Sequence, residues 1–165
     1  NKKDRHELRR KMRRLSRQNA HYYVTQNSSH LTQDMKDFLR LLKASGEEKA
    51  RFMTSSKERF FRALSSSLAH RDALRLFFLE VDRVRVSTAM CLDYQGELSL
   101  YNSGYDPAYA SLSVGFLLKA FCIKEAIATG KKRFNLLRGA EPYKYDLGAE
   151  DSPVYRCLMQ RNRGE

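Results

Sequence analysis

Three short apolar runs in succession, ALRLFFLEV, VRVSTAMCLDY and ELSLYNSGY, leave the stretch from residue 73 to about residue 104 little choice of structure. Each is rich in β-branched, aromatic or large apolar residues. The first two are separated only by Asp82-Arg83 and the next two by Gln95-Gly96, a two-residue hairpin signal. Connections this short permit only antiparallel neighbours, so the spacing predicts a three-stranded meander. Straight after it, Val114, Leu117, Leu118, Phe121, Cys122, Ala126 and Ile127 recur at helical period, with Gly130 as a stop. RFNLL follows, too short for another helix, and is expected as a buried strand.

The flanking residues extend this frame. AHYYVTQ, roughly residues 20 to 26, has strand character. Thr32 is placed to cap a helix running to Gly46, with Met35, Phe38, Leu39, Leu41 and Leu42 facing inward. Ser55 and Glu58 have capping-box spacing ahead of a helix that places Phe60, Phe61, Leu64 and Leu68 on one side. VYRCLMQ near the end is a candidate last strand. The order predicts an α+β layout with one mixed, mostly antiparallel sheet flanked by helices.

At 165 residues and 42% hydrophobic, the chain suits one domain with its own core. No apolar run reaches the length of a membrane span, and no signal peptide opens the chain. Three scattered cysteines without a CxxC are expected to be small core hydrophobes in a reduced, cytoplasmic setting. No metal-ligand constellation is visible. The formal charge of +12 is uneven: residues 1–18 hold nine Lys or Arg against Asp4 and Glu7. Residues 1–18 are therefore expected to form a basic linker helix, with the main domain at 19–165. That helix has two readings, a solvated junction to a neighbouring segment or a surface for RNA, DNA or lipid headgroups.

The start of the 114–128 helix carries the chemistry. A helix N-terminus offers main-chain N–H groups without internal partners and the positive end of the helix dipole. Small residues before it let a phosphate come close. Ser111, Ser113 and Gly115 are small, and Lys119 lies one turn further in.

Taken with what surrounds it, the run YNSGYDPAYASLSVGFLLKAFCIKEAIATGKKRFNLLRGAEPYKYDLGA resembles the GNAT superfamily of acyl-CoA N-acyltransferases. Within it the run looks like the CelD-like branch, associated with cellulose biosynthesis and related to the FemABX peptidyltransferases. The carrying features are the SGYDP loop, the glycine-started helix and a tail supplying Phe134, Arg138, Gly139, Glu141, Tyr143 and Lys144. The resemblance implies a GNAT fold that binds acetyl-CoA or another acyl-CoA through Ser111, Leu112, Ser113, Val114, Gly115, Phe116 and Leu117. It also implies transfer of the acyl group to an amine or hydroxyl, on a small-molecule or sugar-linked acceptor in polysaccharide or envelope biosynthesis.

Glu141 is the candidate base and Tyr143 the candidate acid, while Tyr105, Asp106, Arg138 and Lys144 are candidates for acceptor binding. Glu141 has an alternative role as an ion-pair partner of Arg138 or Lys144, and Asp106 as a cap of its own turn. Tyr101, Tyr105 and Tyr109 are expected to line the cleft or to close the loop. The chain departs from the family at two points. Ala110 to Gly115 keeps only the last glycine of the usual Q/R-x-x-G-x-G/A loop, and Asn135 stands where the tail has aspartate. Two further readings stay open. One is a FemABX-like aminoacyl-tRNA transferase, and the other a non-catalytic GNAT-like module working with an N-terminal GNAT-like half.

Overall fold

In the computed structural model, which describes residues 2–25 and 30–159, strands form where apolar residues alternate, and helices where they recur every third or fourth position. The order is α1 (Lys2–Leu15), β1 (Ala20–Thr25), α2 (Leu31–Ala44), α3 (Glu47–Phe52), α4 (Ser55–Ala69), β2 (Leu74–Val81), β3 (Val84–Tyr94) and β4 (Glu97–Tyr105). After β4 come a 3₁₀ turn (Pro107–Leu112), α5 (Val114–Ala128), β5 (Arg133–Asn135) and α6 (Pro142–Asp146). One sheet holds all five strands in the order β1-β2-β3-β4-β5, antiparallel throughout except for the parallel β4–β5 pair. The expected meander is present, with positive φ at Asp82, Arg83, Gln95 and Gly96 in its two tight turns. Gln26 and Gln160, the expected ends of two strands, lie outside the described residues.

Period-2 alternation in β2 sends side chains to two cores. Leu74, Leu76 and Phe78 join Met35, Phe38, Leu42 and Phe61 beneath α2 and α4. Phe77, Leu79 and Val81 join Leu117, Leu118, Cys122 and Leu15 beneath α5 and α1. The sheet is thus covered on both faces, which is why its strands read as nearly continuous apolar runs. On the α2 side, Gly104 lets helix and strand touch main chain to main chain. A Cβ there would sit 2.5 Å from Leu42 Cα and 2.6 Å from Leu41 O.

Several local expectations are corrected. His30, not Thr32, precedes α2, and Gly46 opens a separate short helix, α3. Thr54, not Ser55, caps α4 by accepting from the Lys57 N–H, while Glu58 pairs with Lys43 instead of closing a capping box. Phe60 and Ile127 are exposed, each lying just off the apolar stripe of its helix. RFNLL is a three-residue edge strand, half-buried at Phe134. Its Asn135 ends it: Oδ1 accepts the Leu137 N–H at 2.8 Å and Nδ2 donates to Glu97 Oε1 at 2.9 Å. An aspartate could make the first bond but not the second. Val154–Met159 forms no strand and is exposed, and Cys157 with it is no core residue, unlike buried Cys91 and Cys122.

The basic helix α1 packs on the domain. Leu15 is buried, Leu8 and Met12 lie against the α5 core, and Arg14 Nη1 donates to Ser111 O at 2.8 Å. No helix of the described residues is long and apolar enough to cross a membrane.

Candidate functional site

Two features of β4 create an opening in the sheet. Along its β3 side, Met90 faces Asn102 and Cys91 faces Leu100, so Tyr101 is an extra residue in a β-bulge. Along the other side, β5 pairs only with Glu97–Ser99, so β4 runs on from Leu100 to Tyr105 without a β5 partner. Tyr105, the last residue of that uncovered run, meets the head of α5 at Gly115.

At that head, Asp106 caps the 3₁₀ turn through Oδ1, which accepts the Ala108 N–H at 3.0 Å. Ser113 then takes a left-handed conformation (φ 56°, ψ 34°), which ends the 3₁₀ turn and starts α5 abruptly, without a side-chain cap. The first helical bond is Leu117 N–H to Ser113 O at 2.9 Å. The N–H groups of Val114, Gly115 and Phe116 therefore have no protein acceptor among the described residues. They open on a cleft of about 230 Å³ lined by Tyr105, Ala110, Ser113, Val114, Gly115, Phe116, Lys119 and Tyr143. Gly115 has a steric reason to be glycine: a Cβ there would lie 2.8 Å from Tyr105 Cδ1. Of the expected binding stretch, Ser113 to Phe116 line the cleft. Val114 and Leu117 are buried in the core, and Ser111 faces α1 through its carbonyl.

Of the three tyrosines, only Tyr105 lines this cleft. Tyr101 packs against Phe61 (ring centroids 5.8 Å apart), and Tyr109 lies against the α5 core.

From the tail after β5, Tyr143 reaches the cleft. Lys144 is only 5% exposed, and its ammonium donates to Leu137 O, Arg138 O and Gly139 O at 3.2, 2.9 and 3.0 Å. It also pairs with Glu141 Oε2 at 3.0 Å, so its donors are spent on holding the tail rather than facing a groove. Glu141 is held below the usual carboxylate range, first by that bond, whereas a base would be expected to have a raised pKa. Arg138 is exposed and lines a separate hollow of about 1000 Å³ between β5, α6 and residues 149–154. Tyr143 is half-buried, and burial followed by the charge of Glu141 pushes its phenol up, so it keeps its proton at neutral pH.

Two lysines complete the surroundings. Lys119 Nζ donates to Gly115 O at 2.9 Å and lies 4.7 Å from the centre of the Tyr143 ring. Burial, and then the nearby Lys49 charge, bring its pKa down to about 8. Lys49 Nζ reaches from α3 to Ser103 O at 2.6 Å, and burial lowers its pKa as well. Lys49 is not apparent from the sequence, because it sits in a short polar helix with no apolar period to place it.

Similarity to known proteins agrees with this geometry. A sequence comparison with characterised proteins finds no match. Among solved structures, the chain resembles an aminoglycoside acetyltransferase from an uncultured soil metagenomic sample, solved with sisomicin. The two are 12% identical with a TM-score of 0.57, covering 86% of this chain and 97% of that one. It also resembles the aminoglycoside N-acetyltransferase AAC(6')-Iy in complex with CoA, at 16% identity and a TM-score of 0.54, covering 88% and 96%. A third is the ribosomal-protein-S18-alanine N-acetyltransferase of Escherichia coli, at 16% identity and a TM-score of 0.57, covering 78% and 74%. At these identities the likeness is one of fold. The family itself is fixed by a model of the acetyltransferase (GNAT) domain that matches residues 2–145, a span containing every residue of the cleft. The mixed, mostly antiparallel sheet flanked by helices is thus the fold expected from the sequence, and the chain belongs to the GNAT acetyltransferase domain family.

Proposed function

We propose that this domain transfers an acyl group, in the simplest case acetyl, from acyl-CoA to an amine of a small, sugar-like acceptor. The observation that carries the reading is the set of three N–H groups at Val114, Gly115 and Phe116 that have no protein acceptor among the described residues and open on the cleft beside Tyr105, at the end of the uncovered run of β4. They suit the CoA phosphates, by hydrogen bonding and by the helix dipole. The uncovered edge of β4 suits the amide-bearing arm of the donor, which can pair with it as a strand would. A neutral acceptor amine attacks the thioester carbonyl carbon, the C–S bond breaks, and the leaving thiolate takes the phenolic proton of Tyr143. The phenolate then recovers a proton from the product ammonium or from water. Glu141, paired with Lys144 and held below the usual carboxylate range by it, suits an anchor of the tail better than a base. Arg138, exposed at the neighbouring hollow, suits acceptor contact there.

That structural neighbours include enzymes solved with aminoglycosides or CoA supports a sugar-like amine as acceptor. The tail from Phe134 to Lys144 supports the finer CelD-like placement and a role in polysaccharide or envelope chemistry. The exposed Arg9 and Arg13 of α1 support contact with a preceding GNAT-like half, or with an RNA. The test is thiol release from acetyl-CoA in the presence of a panel of aminoglycosides, amino sugars and simple amines. Turnover with an amino-sugar acceptor is expected. If acetyl-CoA binds but no amine or hydroxyl acceptor is turned over, the domain is a binding module instead.

A further inference from the structure

An acyl-CoA carries its negative charge on the phosphate groups of its nucleotide end, and the loop before α5 has no cation to meet them. From residue 107 to residue 118 the chain holds no Lys or Arg, and Ala110, which lines the cleft, brings no donor side chain. The basic helix α1 lies against this loop. It packs on both α5 and the 3₁₀ turn, with Leu8, Met12 and Leu15 as its inner stripe. The helical period sets Lys11 and Arg14 along one edge of that stripe, and the exposed Arg9 and Arg13 on the far side. Arg14 Nη1 reaches Ser111 O at 2.8 Å, beside Ala110 and two residues before Ser113, both of which line the cleft. Among the described residues, Arg14 has no other acceptor and no carboxylate partner, so most of its five N–H donors stay open. Lys11 Nζ lies 5.6 Å from the centre of the Phe116 ring, which lines the cleft from the other flank. The neighbouring carboxylate is Glu7, which Arg10 holds by two bonds at 2.7 and 2.8 Å and which also pairs with Lys11. One carboxylate shared by two cations leaves this edge of α1 positive.

We propose that Lys11 and Arg14 bind a phosphate of the acyl-CoA nucleotide, which makes the N-terminal helix a working part of the donor site. This role rests on the acyl-transfer reading and goes beyond it, since that reading sets only main-chain N–H groups of α5 against the phosphates. The open fork of Arg14 matches two phosphate oxygens at once, and its bond to Ser111 O aims it along the loop. Lys11 adds a point charge that needs no fixed direction. The group recognised is a phosphate, either of the diphosphate or on the ribose, and the experiment separates the two.

Binding to the full chain is compared by calorimetry for acetyl-CoA and for its form without the ribose phosphate. NMR titration follows S-acetylpantetheine, which has no phosphate at all. Arg14→Met and Lys11→Met should each weaken acetyl-CoA by about tenfold, the size of a charge-assisted contact, and Arg14→Lys should recover part of the loss. Neither should change S-acetylpantetheine. Arg9→Met makes the same charge change on the far side of α1 and should leave acetyl-CoA within about twofold, since solvent screens a charge at that distance. If the loss in Arg14→Met vanishes for the form without the ribose phosphate, that phosphate is the group bound; if it persists, the diphosphate is. Unchanged acetyl-CoA binding in one variant removes that residue from the site, and in both it overturns the proposal while the acyl-transfer reading stands. An equal loss for S-acetylpantetheine, the mark of disturbed α1 packing, also overturns it, as does an equal loss in Arg9→Met, the mark of net charge alone. Circular dichroism checks that each variant folds; Arg14 is exposed and Lys11 half-buried, so at least the first should. If the parent chain binds no acyl-CoA, the acyl-transfer reading fails and this role falls with it.

Discussion

Gly115 and Lys119, one helical turn apart, define the cleft at the level of single residues. Gly115→Ala gains about 1 kcal/mol of helix propensity but sets a Cβ at 2.8 Å from the Tyr105 ring. The clash, about 2 kcal/mol, outweighs that gain, so thermal unfolding should show a net loss of about 1 kcal/mol. Affinity for acetyl-CoA should fall by about tenfold or more as Tyr105 is displaced beside the free N–H groups. Lys119 gives a pH signature in the absence of ligand. Its pKa is lowered from 10.5 to about 8 in the folded chain, so between these values the unfolded chain binds more protons and stability rises with pH. Lys119→Met should flatten that rise in chemical-denaturation curves taken from pH 8 to 10.5. Tyr143→Phe should lower kcat by about a hundredfold with little change in acetyl-CoA affinity, because it removes only the transferred proton.

At the level of elements, the α2–β4 and α2–β3 contacts carry the framework. Gly104→Ala would push main chain against main chain at Leu41 and Leu42, where no side chain can swing aside. A loss of about 2–3 kcal/mol is expected in denaturant titration, larger than at Gly115 because the clash there is with a ring that can move. A second anchor is Arg85 on β3. It pairs with Asp34 and Asp37 of α2, each at 2.8 Å, and accepts no substitute for its fork, since its Nε also donates to the Tyr23 hydroxyl. Asp34 is 1% exposed, so Arg85→Met would take the Arg85 ion pair from a buried carboxylate, at a cost of about 3 kcal/mol. Burial, and the bond it gives to Glu80, push the Tyr23 phenol up to about 12.

For the whole molecule, the sheet and its helices are legible in sequence because the meander depends on two-residue turns and on local alternation. The head of α5 is legible for the same reason: Gly115 ends a run of small residues just where helical period begins. What the sequence conceals is made by contacts across the fold. Lys144 looks like a groove residue in EPYK until β5 ends at Asn135 and turns three carbonyls toward its ammonium. Lys49 gains meaning only when α3 is brought to Ser103. The exposed Val154–Met159 shows the converse, since strand-like composition that pairs with no edge of the sheet makes no strand.

The central claim is that the head of α5, and not the larger hollow behind β5, receives the acyl donor. At 19.2 kDa the chain suits ¹⁵N-resolved NMR titration with acetyl-CoA. The largest amide shifts are expected at Val114, Gly115 and Phe116, with a second set along β4 from Tyr101 to Ser103. Shifts concentrated instead at residues 133–140 and 149–154, with the α5 amides unmoved, would contradict it.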